Sequence, residues 1–321
     1  MLFLKKNVVV SVLFVVLLLC GCLADNVVSS DSLMSDQHSD HNHGDFYYYI
    51  EPVGVPADKI YNYNGGKLEV DLCFNSQDQE GTSYGLFVFL DGVPQRYSFD
   101  LGDGELSYLH EVKSVYCEDE EIYFSVSFEP SNGQEGDLLF LDFLIIVNPY
   151  LFLSDEDVDN HLITGMDSLF LRMNCDSKEQ SLNAYVLDDV EYIDEKEIKS
   201  RILPNGKSLF DSSDLFSFYS KEDDRKFRTV DGLIQFGYEV SGAVKDNCKV
   251  IVFADHEPVK IDNKYDYLQY DLEQYTRLRF EGFIDTNSYD CDFIYAINIY
   301  HRTDSANNTN YFTKSSSFKV E

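Results

Sequence analysis

The stretch "DQHSDHNHGD" (36–45) gathers His38, His41 and His43 among Asp36, Asp40 and Asp45. Imidazoles and carboxylates so spaced are ligands for Zn²⁺ or Cu²⁺, since a pliant chain can wrap a tetrahedral ion. No rigid element orients these rings, so a hydrophilic tether that happens to carry histidine is the simpler reading. "DEDVDNH" (155–161) sets Asp155, Asp157 and Asp159 at the alternating spacing that opens an EF-hand loop. The match then fails: Asn160 stands where the turn needs Gly, and Met166 where Ca²⁺ needs a bidentate Glu. A solvated acidic loop is the plainer account. No cofactor is expected, with Ca or Zn as the weak exceptions.

"DNKYDYLQYDLEQY" (262–275) interleaves Tyr265, Tyr267, Tyr270 and Tyr275 with acids. Aromatic faces stack on sugars or on a partner's side chains, and tyrosine is a favoured interface anchor. Tyr265, Tyr267 and Tyr270 are therefore the candidate ligand-binding residues, for a protein or glycan partner. The competing reading is a strand face at the rim of a sandwich, and the absence of Trp weakens the glycan version. For catalysis the chain is poor. It has no G-x-S-x-G, H-E-x-x-H, P-loop or G-x-G-x-x-G pattern, and the 57 carboxylates make any single acidic pair uninformative. The protein reads as a non-enzyme.

These residues must be positioned almost entirely by strands. "EIYFSVSF" (121–128) alternates, with Ile122, Phe124, Val126 and Phe128 on one face and Tyr123, Ser125 and Ser127 on the other. Helical periodicity is confined to "DEKEIKSRIL" (194–203) and, more weakly, to 211–224. An internal repeat runs through the chain. "GKLEVDLCF" parallels "LIQFGYEV", "LFVFLDGVP" (86–94) parallels "VIVFADHEP" (250–258), and "IYFSVSF" parallels "LRFEGFI" with Phe124 and Phe280 in register. "DLLFLDFLIIV" (137–147) then matches "CDFIYAINIY" (291–300), and "SLFLRM" (168–173) matches "SSFKV" (316–320). The expected fold is all-β: two tandem antiparallel sandwiches, 46–176 and 177–321, with an insertion at about 190–225 in the second. At fold level they resemble immunoglobulin-like or fibronectin-like domains of bacterial surface lipoproteins.

The N-terminus sets the address. Lys5 and Lys6 precede an apolar run from Val8 to Leu19 broken only by Ser11. That run is too short for the roughly 20 residues that span a bilayer, and it has the layout of a signal peptide. Leu19-Cys20-Gly21-Cys22 resembles the lipobox of bacterial lipoproteins. The resemblance implies that residues 1–21 are removed and that Cys22 carries the lipid; ordinary cleavage after Ala24 is the alternative. Residues 22–45 read as a flexible Ser/Asp/His-rich tether.

Cys73, Cys117, Cys175, Cys248 and Cys291 remain, an odd number without C-x-x-C spacing that allows one or two bridges. Without Lys5 and Lys6, 57 acids face 23 bases, a net charge near −34. Such a field repels nucleic acid and anionic lipid headgroups. The expectation is an exported, membrane-anchored, cell-surface binding or adhesion module. A structural or accessory envelope protein, or plain secretion, is the alternative, and an enzyme with an unrecognised site is the third and less favoured reading.

Overall fold

The computed structural model describes residues 48–76, 82–102, 104–113, 121–150, 163–178, 182–203, 208, 210, 215–221, 226–287, 289, 291–302 and 309–321. The expectations for Cys22, for His38, His41 and His43, and for the 155–161 loop lie outside those residues. Among the described residues no helix is long and apolar enough to cross a membrane.

The fold is an all-β sandwich architecture. Ten strands come from the first half: β1 (Tyr48–Pro52), β2 (Ile60–Tyr63), β3 (Leu68–Ser76), β4 (Ser83–Leu90), β5 (Val93–Pro94), β6 (Ser98–Phe99), β7 (Leu109–Lys113), β8 (Ile122–Phe128), β9 (Leu138–Val147) and β10 (Ile163–Met173). They make a first outer sheet, β1-β3-β8-β6, and a first inner sheet, β2-β10-β9-β4-β5, with β7 also on β4.

The second half begins with β11 (Ala184–Val186), β12 (Val190–Tyr192) and the short helix α1 (Glu195–Ser200). It continues with β13 (Leu215–Ser220), β14 (Lys226–Phe227), β15 (Thr229–Val230), β16 (Leu233–Ser241), β17 (Lys245–Ala254), β18 (Glu257–Pro258) and β19 (Tyr267–Leu272). It closes with β20 (Thr276–Asp285), β21 (Phe293–Arg302), β22 (Thr309–Lys314) and β23 (Phe318–Val320). These form a second inner sheet, β11-β19-β17-β21-β23-β14, and a second outer sheet, β12-β20-β16-β13.

The repeat is visible in the pairing. β1 and β13 lie antiparallel to β3 and β16, and β8 and β20 flank the same two strands on their other side. β4 pairs β9 as β17 pairs β21, while β2 and β14 run parallel to the closing strands β10 and β23. The register agrees to the residue: Leu72 faces Phe124 in the first copy, and Tyr238 faces Phe280 in the second. One segment departs from expectation. Residues 215–220, read as a weak helix, are strand β13, because Phe218 alternates into the core opposite Tyr238. A cross-strand partner overrides local propensity there. Within the expected insertion at about 190–225, β12 and β13 form the two edges of the second outer sheet.

Residues 46–321 form one compact unit, and the inner strands show why. In β4, Leu86, Val88 and Leu90 enter the first core while Phe87 and Phe89 point the other way. In β17, Val250 and Val252 enter the second core while Ile251 and Phe253 point away. Those outward residues, with Leu144, Ile146, Tyr295, Ile297 and Ile299, form a third core between the inner sheets. Strands apolar on both faces need cover on both faces, and each large side chain buried there contributes about 1.5–3 kcal/mol. The joint uses equivalent positions from both copies, an isologous pattern within one chain. Cys73, Cys175, Cys248 and Cys291 are thiols, not disulfides.

Candidate binding face

The layering leaves two sheet faces turned outward, one on each outer sheet. On the first, alternation along β1, β3 and β8 buries Ile50, Leu72, Phe74, Phe124 and Val126. It sends Tyr49, Glu51, Asp71, Cys73, Tyr123 and Ser125 to the other side. Register places Cys73 opposite Tyr123 and Glu51 opposite Cys73, so the three strands bring their polar residues into one row.

Glu121, immediately before β8, lies beside that row and joins two of its tyrosines. Tyr49 Oη donates to Glu121 Oε1 at 3.0 Å, and Tyr123 Oη donates to its other oxygen. Beside it Ser125 Oγ donates to Asp71 Oδ1 at 2.6 Å, and the Ser125 amide donates to Asp100 Oδ1 at 2.9 Å. The hydrogen bond to Glu121 pushes Tyr49 up to about 12 and Tyr123 higher still. The same bonds, Tyr123 first and Tyr49 second, hold the Glu121 carboxyl below its ordinary value. Burial pushes the Cys73 thiol up.

Those shifts decide what the face can do. Burial favours the neutral thiol of Cys73, and the hydrogen bonds to Glu121 favour the neutral phenols of Tyr49 and Tyr123. The face offers carboxylate acceptors and aromatic surface, with Tyr123 59% exposed. Among the described residues no Lys or Arg makes an ion pair with Glu121, Asp71 or Glu69. The arrangement suits a cationic or hydroxyl-bearing partner.

The tyrosine row singled out in the sequence is split three ways. Tyr270 is 2% exposed; its hydroxyl accepts from Tyr238 at 3.1 Å and donates to Asn298 Oδ1 at 2.9 Å inside the second core. Tyr267 packs against the joint, and Tyr265 lies half-buried against the second core beside Tyr185. A joint ligand-facing role for Tyr265, Tyr267 and Tyr270 is thus corrected, because strand alternation in β19 and the β11 edge dispose of them separately. Sequence reasoning missed Tyr49, Cys73 and Glu121. The alternation of "EIYFSVSF" had placed Tyr123 and Ser125 outward, which was the available signal. Among the described residues no three His, Cys, Asp or Glu side chains converge as metal ligands.

No protein-family model matches the chain, and no curated protein is significantly similar to it.

Proposed function

We propose that the protein is exported, anchored to the membrane through lipidated Cys22, and acts as a non-enzymatic binding or adhesion module. Its contact surface is the outer face of β1, β3 and β8. The observation that carries this reading is the Tyr49–Glu121–Tyr123 cluster, in which Glu121 and Tyr123 are exposed and no described Lys or Arg makes an ion pair with Glu121. Tyrosine gives large contact area at low entropic cost, and a carboxylate between two hydroxyls is already ordered for a partner's donors. The net charge of −32 favours a cationic protein surface or a neutral glycan over anionic ligands.

The test probes protein and glycan arrays with the chain and with a Tyr123→Ala, Glu121→Gln double variant. Binding that the double variant loses, with its circular dichroism unchanged, is expected. Binding that survives it removes this face from the proposal. Separately, Cys22→Ala is expected to release the protein from the membrane fraction, and retention of that variant overturns the anchor.

A further inference from the structure

The joint between the inner sheets is apolar at its centre, yet ionisable groups are buried in it from both sides. Asp142, on β9, is fully buried. It accepts from Ser168 Oγ of β10 at 2.6 Å and, across the joint, from Asn310 Nδ2 of β22 at 2.8 Å. The charged groups that bear on it are the carboxylates Asp91, on the β4–β5 turn, and Asp167, on β10. Asp91 is itself held across the joint by Lys249 of β17, at 3.2 Å.

His256 enters from the opposite side. It occupies the second position of the β17–β18 turn at φ 71°, where the first copy has Gly92 at φ 73°. Glycine takes that conformation without strain and histidine does not. The ring is 5% exposed, with Nδ1 2.9 Å from Tyr295 Oη and Nε2 unpartnered. Phe87 of β4, Tyr150, and Phe293 and Tyr295 of β21 surround it. The cation facing it is Lys314 of β22, which donates to Ser317 Oγ at 2.8 Å and sits 4.3 Å from the Tyr295 ring centre. Asp255, its neighbour in the turn, is turned away to accept from the Asp292 and Phe293 amides. The turn itself needs no side chain there, since the first copy makes it with Gly92.

We propose that Asp142 and His256 are proton-binding groups of opposite sense that together make closure of the joint insensitive to pH across the mildly acidic range. Burial raises the Asp142 carboxyl from 3.8 to about 7, and burial, then Lys314, lowers His256 from 6.5 to about 3. Opening the joint returns both to their ordinary values. As pH rises from 3.8 towards 7, an exposed Asp142 releases a proton that the buried one keeps, so closure weakens by about tenfold per pH unit. Over 3 to 6.5, an exposed His256 holds a proton that the buried ring refuses, so closure strengthens by about tenfold per pH unit as pH rises. Between 3.8 and 6.5 the two slopes cancel. Lys314, lowered by burial from 10.5 to about 7, acts only above that window.

The experiment measures urea unfolding of the chain across this window for the wild type, Asp142→Asn, His256→Asn and the double variant. Asparagine at 142 can still accept from Asn310 and donate to Ser168, and asparagine at 256 tolerates positive φ. Relative to wild type, the folding constant of Asp142→Asn is expected to rise about tenfold per pH unit, that of His256→Asn to fall about tenfold, and the double variant to run parallel. Single-variant ratios that do not move with pH, or a double variant that fails to restore the parallel profile, overturn the proposal. If His256→Asn does not fold, His256→Gly, the first copy's residue, gives the same reading. The pH-dependent change is expected in amide exchange of β9 and β22 before β1 and β13. Equal change in all four overturns the assignment to the joint.

Discussion

The two outer faces occupy the same place in the two copies and have been filled in opposite ways. Register makes the positions equivalent: Glu121, Tyr123, Cys73 and Asp71 in the first correspond to Arg277, Arg279, Glu239 and Gly237 in the second. On the second face Arg277 pairs with Glu197 of α1, with Glu239 at 3.0 Å and with Glu191 at 3.8 Å. Arg279 reaches Glu191 at 2.7 Å and Glu239 at 2.8 Å. The Tyr219 ring lies over Gly237, so closely that a Cβ there would meet it at 2.4 Å. That face pairs its own charges. The first has carboxylates and hydroxyls but, among the described residues, no guanidinium paired with them. Equivalent positions of the two sheets thus carry a charge-paired face and an acceptor-rich one.

The sharpest way to break that comparison is Arg277→Met. The Arg277 side chain is 10% exposed, and its loss takes the guanidinium from Glu197 while Arg279 still holds Glu191 and Glu239. Its partners are partly exposed, so the loss is expected at about 1–3 kcal/mol, below that of a fully buried pair. Urea unfolding should show that loss; one under about 1 kcal/mol would mean the second face is not held by its ion pairs.

Glu121→Gln, at the equivalent position, should leave stability at neutral pH nearly unchanged because Glu121 is exposed. Its effect is on titration. Tyrosinate absorbance should show Tyr49 ionising at a lower pH than about 12, moving towards 10.0; an unmoved curve would remove Glu121 as the cause. Glu121 is held below its ordinary 4.5, so its contribution to stability is present above that value and lost as pH falls through the lower native one. The Gln variant should lack this acid limb.

Much of the fold was legible because strands of this kind announce themselves. The alternation of 122–128 placed Phe124 inward and Tyr123 outward, and Leu72–Phe124 recurs as Tyr238–Phe280. Residues 215–220 were not legible, since Ser and Asp around two phenylalanines carry no decisive period until β16 supplies a partner. The candidate face was half legible. Outward residues of one strand can be read from alternation, but Tyr49 is 72 positions from the Glu121 it bonds, and only sheet order unites them.

What the sequence by itself determined is the all-β class, the duplication and the acidic balance. Each is a local or compositional property: side-chain period, recurrence of blocks, and a count of charges. The tertiary structure decided what the unbroken apolar runs in β4, β9, β17 and β21 are for. A strand apolar on both sides demands two buried faces, but nothing in its own residues says what supplies the second. Here the second cover is the other copy, packed through Phe87, Phe89, Phe253 and Ile297. That packing buries Asp142 and His256 and leaves the outer sheets to face solvent.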